Sequence, residues 1–428
     1  MSSSSQSPTR RQVLAATVAA GAATILPRTS QAGTSSESVR PFTVNIPQGE
    51  LDELTRRIVA ARLPEKETVV DFSQGVPLAT IEKLQRYWAR DYDWRKVEAR
   101  LNAVPNFITE IDGLDIHFIH VRSKHENALP VIISHGWPGS VIEQLKIIEP
   151  LTNPTAHGGR AADAFHVVIP SMPGYGFSGK PAATGWGPQR IASAWDVLMK
   201  RLGYKSYVAQ GGDWGAIVVD QMGVQAPDGL LAIHTNMPCV VPPGINAAAF
   251  SGQPVPDGLS VDEQHAYKML AAFYKDVYYA LFMSTRPQTL VGLTDSPMGL
   301  ATFMIDHDRR SLELIARSFD GIPEGLTRDD VLDNVTLFWL TNTGVSAARL
   351  YWENKLPFFE PKGVNIPVAA TASPDELFQA PRSWAETAYP KLIYYNKLPK
   401  GGHFAAWEQP KLLTEEIRAG FKSVRRST

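Results

Sequence analysis

At 428 residues with 44% apolar side chains, the chain can bury a large core, as one big domain with insertions or as two domains. A net charge of −1 with no long single-sign run argues against a nucleic-acid partner or an electrostatically held membrane surface, and a small neutral substrate fits better. The single cysteine, Cys239, excludes an intrachain disulfide and a thiolate metal cluster, and reads as a small buried apolar side chain.

Residues 1–32 differ from the rest. A Ser-rich start leads to Thr9-Arg10-Arg11-Gln12-Val13-Leu14, then to an Ala-, Val-, Thr- and Gly-rich stretch from Ala15 to Leu26. This resembles a twin-arginine export signal with a small-residue cleavage site at Ala32, too short and too weakly apolar to span a bilayer. Export to the periplasm or beyond is the expectation, with no stable membrane anchor after cleavage.

From Pro41 to about Asn106 the pattern is helical. Leu51, Leu54 and Ile58 share one helix face, as do Ile81, Leu84 and Trp88. Alternation from Asn106 to His120 around Asp112-Gly113 predicts a hairpin with a two-residue turn. The run Leu129 to Ser134 predicts a buried strand ending at His135-Gly136-Trp137-Pro138-Gly139-Ser140. Phe165 to Ile169 predicts the next strand. Tyr207-Val-Ala-Gln then enters Gly211-Gly212-Asp213-Trp214-Gly215 and an apolar run, the pattern of strand, sharp turn and helix.

Strands alternating with helical stretches imply parallel βαβ units, whose strand carboxyl ends form the site. After Leu231 to His234, strand signals stop until Val364. The interval holds capping boxes at Ser260 to Glu263 and Thr327 to Asp330, so an inserted helical cap is predicted. Strand patterns return at Val364 to Thr371 and Leu392 to Tyr395, and an amphipathic helix from Pro410 to Phe421 closes the chain. The expected division is a helical amino-terminal domain at 41–125, sheet core at 126–236 and 361–428, and cap at 237–360.

Gly211 and Gly215 flank Asp213 at the spacing of a nucleophile elbow, where Ser usually stands. A carboxylate is ionised at neutral pH and attacks an electrophilic carbon without a base, so the chemistry becomes alkylation. Releasing the resulting ester needs activated water, for which His403, after Gly401-Gly402, is the candidate base. A carboxylate should orient it, and Asp375 and Glu376 both qualify. The oxyanion formed during ester hydrolysis needs backbone N–H donors, expected from Trp214 and Trp137.

The chain resembles the epoxide hydrolases of the α/β-hydrolase fold, in the microsomal and juvenile-hormone branch. The resemblance rests on Phe42-Thr-Val-Asn-Ile-Pro through Arg62-Leu63-Pro64, His-Gly-Trp-Pro-Gly-Ser at 135–140, Gly-Gly-Asp-Trp-Gly at 211–215 and Gly-Gly-His-Phe-Ala-Ala-Trp-Glu at 401–408. It implies a mostly parallel central sheet with an inserted helical cap and an amino-terminal helical extension. Asp213 would be the nucleophile, His403 the base and Glu376 the orienting acid. Two cap tyrosines would donate hydrogen bonds to the epoxide oxygen: Tyr351, and Tyr279 with Tyr278 as the adjacent alternative. The substrate would be a small, largely apolar epoxide attacked without metal or cofactor, and the product a vicinal diol.

A haloalkane dehalogenase shares the Asp and His chemistry, and Trp214 could serve its halide, but a halide leaves without tyrosine donors. A serine esterase lacks its nucleophile here. A catalytically silent binding protein on this fold would betray itself by a missing triad member, and none is missing.

Overall fold

The structure, a computed structural model, describes residues 38–425, so the export signal expected for residues 1–32 lies outside the described residues. Its sheet begins with the hairpin of β2 (Asn106–Ile111) and β3 (Leu114–Val121). Asp112 and Gly113 form the two-residue turn, and both have positive φ, at 53° and 79°. That backbone twist matches the strands it joins. A short edge strand, β1 (Arg40–Phe42), pairs with β2, where the helical reading of this region had placed no strand. Three residues are too few for a period of two to show.

The remaining strands are β4 (Leu129–Ser134), β5 (Phe165–Pro170), β6 (Tyr207–Gly211), β7 (Leu230–Thr235), β8 (Val368–Ala372) and β9 (Leu392–Lys397). They build one nine-stranded sheet in the order β1-β2-β3-β5-β4-β6-β7-β8-β9. Pairing is antiparallel from β1 to β5 and parallel from β5 to β9. Every residue of β6 and β8 is buried, as expected for strands covered on both faces. The helix Pro188–Arg201 packs against Trp214–Gln225, and Pro410–Gly420 against Leu145–Thr152. This is the α/β-hydrolase architecture.

Eight α-helices lie between β7 and β8, from Pro243–Phe250 to Gly344–Glu353. Capping boxes form at Ser260 with Glu263 and at Thr327 with Asp330, as the residue types predict. Of the three amino-terminal helices, Gln48–Ala60 buries Leu54 and Ile58 with Leu51 partly covered, Leu78–Arg90 buries the expected Ile81, Leu84 and Trp88, and Trp94–Asn102, for which no face was predicted, buries Trp94, Val97 and Leu101. They also reach the cap helix Arg328–Leu340. Tyr87 Oη donates to Asp329 at 2.6 Å, Trp88 Nε1 to Thr336 at 3.0 Å, and Tyr92 Oη to Asp333 at 2.9 Å. That helix in turn donates from Asn334 Nδ2 to the Pro138 carbonyl. The amino-terminal helices therefore brace the loop that follows β4 through one intermediary helix. Among the described residues, no helix is long and apolar enough to cross a membrane.

Candidate active site

Parallel register places the site. Ser134 at the end of β4 sits beside Gly211 at the end of β6, and Gly211 beside Thr235 of β7. The loops leaving β4 and β6 consequently start side by side. Asp213 then turns the chain into the helix Trp214–Gln225 with φ 52° and ψ −128°, a backbone that a non-glycine residue rarely adopts. The flanking glycines permit this approach. A Cβ on Gly215 would strike the Ser134 carbonyl, and one on Gly211 the Gly215 carbonyl.

The turn aims the Asp213 carboxylate at the β4 loop. Its Oδ1 accepts the Trp137 N–H at 2.6 Å, and the Trp214 N–H also bonds the carboxylate. Both expected backbone donors are therefore on the nucleophile candidate. A Cβ on Gly136 would fall on the Asp213 carboxyl, so this loop needs glycine there. Burial pushes the Asp213 carboxyl above its ordinary range, while the imidazoles of His403 and His307 and the two N–H groups pull it back.

His403 stands on the loop after β9, and its Nε2 lies 3.6 Å from Asp213 Oδ2. Its Nδ1 meets Glu376 Oε1 at 2.6 Å, which fixes the Nδ1–H tautomer when the ring is neutral. Glu376 belongs to the loop after β8. A hydrogen bond from Asp375 N to the Gly401 carbonyl at 3.1 Å ties that loop to the histidine loop. The Asp375 side chain points away, pairing with Arg310 at 3.0 Å, so of the two acids the sequence offered only Glu376 reaches the imidazole. Glu408 clasps the histidine loop by accepting from Gly402 N and Phe404 N, each at 2.9 Å. Burial acts to lower the His403 pKa, but Glu376, Asp213 and Asp308 together outweigh it and hold the ring up at about 10. These anions thus favour the imidazolium form of His403.

Tyr351, on the helix Gly344–Glu353, and Tyr279, on Tyr278–Thr285, are each only 8% exposed. Tyr278 is 72% exposed, so helix geometry separates the two adjacent candidates and turns Tyr279 inward. Tyr279 stacks on Trp137 with ring centroids 4.9 Å apart, and Tyr351 packs edge-on against Trp214 at 4.7 Å. Burial, then neighbouring charges including Asp213, drives both phenols well above the usual tyrosine range, so both keep their protons. Both tyrosines line a cavity of about 200 Å³ with Asp213, Trp214 and the aromatic side chains Phe250, Phe273, Tyr274, Phe358 and Phe359.

Sequence reasoning missed His307 and Asp308. His307 is buried in the cap beside His403, its Nδ1 2.9 Å from Asp308 Oδ2 and its Nε2 without a hydrogen-bond partner. No motif marks this pair. Among the described residues, Asp213, His307 and His403 form the one His, Cys, Asp or Glu group spaced to hold a metal ion, with donor atoms within 4.8 Å of one another. A cation there would occupy the nucleophile and the base.

A family model for the epoxide hydrolase N terminus matches residues 39–144, and one for the alpha/beta hydrolase fold matches residues 130–281. A protein of Stigmatella aurantiaca named provisionally as an epoxide hydrolase is 50% identical over 390 residues, covering 90% of this chain and 86% of that one. Epoxide hydrolase 1 of Oryctolagus cuniculus is 34% identical over 411 residues, 91% of this chain and 90% of its own. The crystal structure of juvenile hormone epoxide hydrolase from Bombyx mori superposes with a TM-score of 0.79 at 28% identity, over 91% of this chain and 95% of that one. The chain belongs to the epoxide hydrolase family.

Proposed function

We propose that the protein opens an epoxide through an alkyl ester of Asp213 and hydrolyses that ester to a vicinal diol. One juxtaposition carries the reading: a buried carboxylate held by two backbone N–H groups faces a cavity into which two protonated tyrosines project. Because Oδ1 is engaged by Trp137, Oδ2 is the oxygen free to attack the epoxide carbon. The C–O bond breaks as the new bond forms, and the tyrosines supply hydrogen bonds and a proton to the opening oxygen. Oδ1 then remains the ester carbonyl, already held by the Trp137 N–H, a donor that stabilises the tetrahedral oxyanion.

Ester formation also changes the base. The negative charge of Asp213 is one of the influences that raise His403, and alkylation removes it. The imidazole pKa falls, neutral His403 becomes accessible, and Nε2 takes a proton from water while Glu376 stabilises the imidazolium. The proton that His403 gives up on becoming neutral restores the tyrosine, the proton that water loses returns His403 to the imidazolium form, and water's second proton goes to the departing diol oxygen. The ester C–O bond then breaks and the carboxylate returns.

One observation speaks for a dehalogenase. Trp214 Nε1 is buried without a hydrogen-bond partner, which is the donor a halide would need. The two tyrosines argue the other way, since a halide leaves unprotonated. The discriminating assay offers purified protein styrene oxide, a small panel of other epoxides, and 1-chlorobutane, and measures diol and halide. Diol supports the reading; halide without diol overturns it.

Export by the twin-arginine route is proposed for residues 1–32, on Arg10-Arg11 and the Ala-rich stretch behind them. A reporter fused after Ala32 should leave the cytoplasm, and an Arg10→Lys, Arg11→Lys fusion should stay behind.

A further inference from the structure

Behind the nucleophile lies a second, much smaller cavity of about 20 Å³, room for one water molecule. Among the described residues, Asp213 is the only one that lines both this chamber and the larger substrate cavity. The carboxylate is thus the wall between them. His403 lines the small chamber, with Gln144, Gln210 and Asn236 among its polar neighbours. The Gln210 amide is already committed, its Nε2 donating to Asn236 Oδ1 at 2.8 Å.

Gln144 is different: its side chain is 5% exposed, and its Oε1 is buried with no hydrogen-bond partner. Leaving an amide oxygen unpaired inside a protein is unfavourable, and a water in a polar chamber is the ordinary remedy. The same water would be within reach of the base and the ester.

We propose that this chamber seats the hydrolytic water and that Gln144 is its positioning residue. The inference rests on the alkyl-ester reading of the site. Gln144 Oε1 accepts one O–H of the water while His403 Nε2 accepts the other. The oxygen lone pair is then directed at Cγ of the esterified Asp213, from the side opposite the substrate cavity. On attack the water oxygen bonds Cγ and one of its protons passes to His403, and negative charge collects on Oδ1, which accepts the Trp137 N–H. Collapse breaks the Cγ–Oδ2 bond, the hydroxyl proton left from the water passes to the departing Oδ2, and the diol leaves Asp213 as a carboxylate. Substrate and water therefore enter from separate chambers, and a bulky alkyl group need not displace the water that will cleave it.

The test separates the two half-reactions with styrene oxide, by rapid-quench mass spectrometry of the protein. Gln144→Met keeps the side-chain length and removes the oxygen; Gln144→Glu keeps an oxygen acceptor. Expected for Gln144→Met is alkylation within about twofold of wild type and ester hydrolysis about 10- to 100-fold slower, so that adduct accumulates and kcat and KM fall together. Gln144→Glu should recover much of the hydrolysis rate. Wild-type hydrolysis in Gln144→Met, or equal loss of both steps, would overturn the assignment. If wild-type protein forms no adduct, the alkyl-ester reading fails and takes this one with it; adduct in wild type with unchanged hydrolysis in Gln144→Met removes this one alone. A high-resolution crystal structure of the wild type gives a check that needs no variant: an ordered water between Gln144 Oε1 and His403 Nε2 is expected, and a dry or collapsed chamber contradicts it.

Discussion

The imidazole of His307 lies nearly parallel to that of His403, with ring centroids 4.3 Å apart and planes inclined by 29°. Each ring has a carboxylate on its Nδ1, Asp308 on one and Glu376 on the other. Asp308 is also tied to the cap, where its Oδ1 accepts from Ser311 N at 2.9 Å to cap the helix Arg309–Phe319. The cap therefore brings a further anion to the base, beside Glu376 and Asp213. Burial alone would raise the Asp308 carboxyl, but His307 and His403 prevail and hold it at about 2.

Because Asp308 contributes to the raised pKa of His403, its removal should lower that pKa. Hydrolysis of the alkyl ester needs the neutral ring, so in Asp308→Asn the acidic limb of the hydrolysis rate should move to lower pH. Single-turnover rates between pH 5 and 10 check this, and a limb that stays or moves upward contradicts it. In the wild type, the same limb should lie below the value of about 10 that His403 has beside ionised Asp213.

His403→Gln should leave the first half-reaction largely intact and stall the second, by about 10²–10⁴-fold for loss of a general base. Intact-protein mass spectrometry after incubation with styrene oxide should show stoichiometric adduct. Loss of adduct together with turnover would place His403 in the alkylation step instead.

Tyr279→Phe and Tyr351→Phe should each slow epoxide opening about 10- to 100-fold, with far greater loss in the double variant because one hydroxyl still serves in each single one. Tyr278→Phe, on the exposed side of the same helix, should match wild type. Stopped-flow tryptophan fluorescence can follow the alkylation phase, since Trp137 and Trp214 touch both tyrosines. Equal rates across the series would remove the tyrosines from the mechanism.

Much of this site was legible in the chain. Asp213, His403 and the two backbone donors follow from glycine spacing and strand order, because a strained turn and a close helix–strand approach leave few residues permissible. The choice between Asp375 and Glu376 was not legible from spacing, since adjacent loop residues differ only in direction; Arg310, distant in sequence, draws Asp375 outward. The choice between Tyr278 and Tyr279 depended on which face the cap helix buries. His307, Asp308 and Gln144 carried no signal at all. They acquire meaning from the tertiary path of the cap and from an unpaired oxygen, neither of which leaves a periodicity in the sequence.

The amino-terminal helices carry no catalytic grouping, and the structure gives them a further consequence. Tyr92 and Trp88 hold the cap helix Arg328–Leu340, whose Asn334 grips the Pro138 carbonyl beside Trp137. Asn334→Leu should therefore reduce turnover through a misplaced Trp137 N–H, by up to about 10²–10³-fold if that donor is lost entirely. Tyr92→Phe should lower stability by about 1–2 kcal/mol with less effect on rate, measured by denaturant unfolding and by kcat. A silent Asn334→Leu would break the link between cap and oxyanion donor.

The alkyl-ester route is tested most directly by a single turnover in oxygen-18 water, with protein in excess over styrene oxide and the diol analysed by mass spectrometry. An enzyme whose Asp213 oxygen becomes a diol oxygen gives unlabelled diol in that first turnover, and leaves oxygen-18 in the Asp213 carboxylate. Labelled diol in the first turnover, or unlabelled diol that persists in Asp213→Ala, would mean that Asp213 is not the nucleophile.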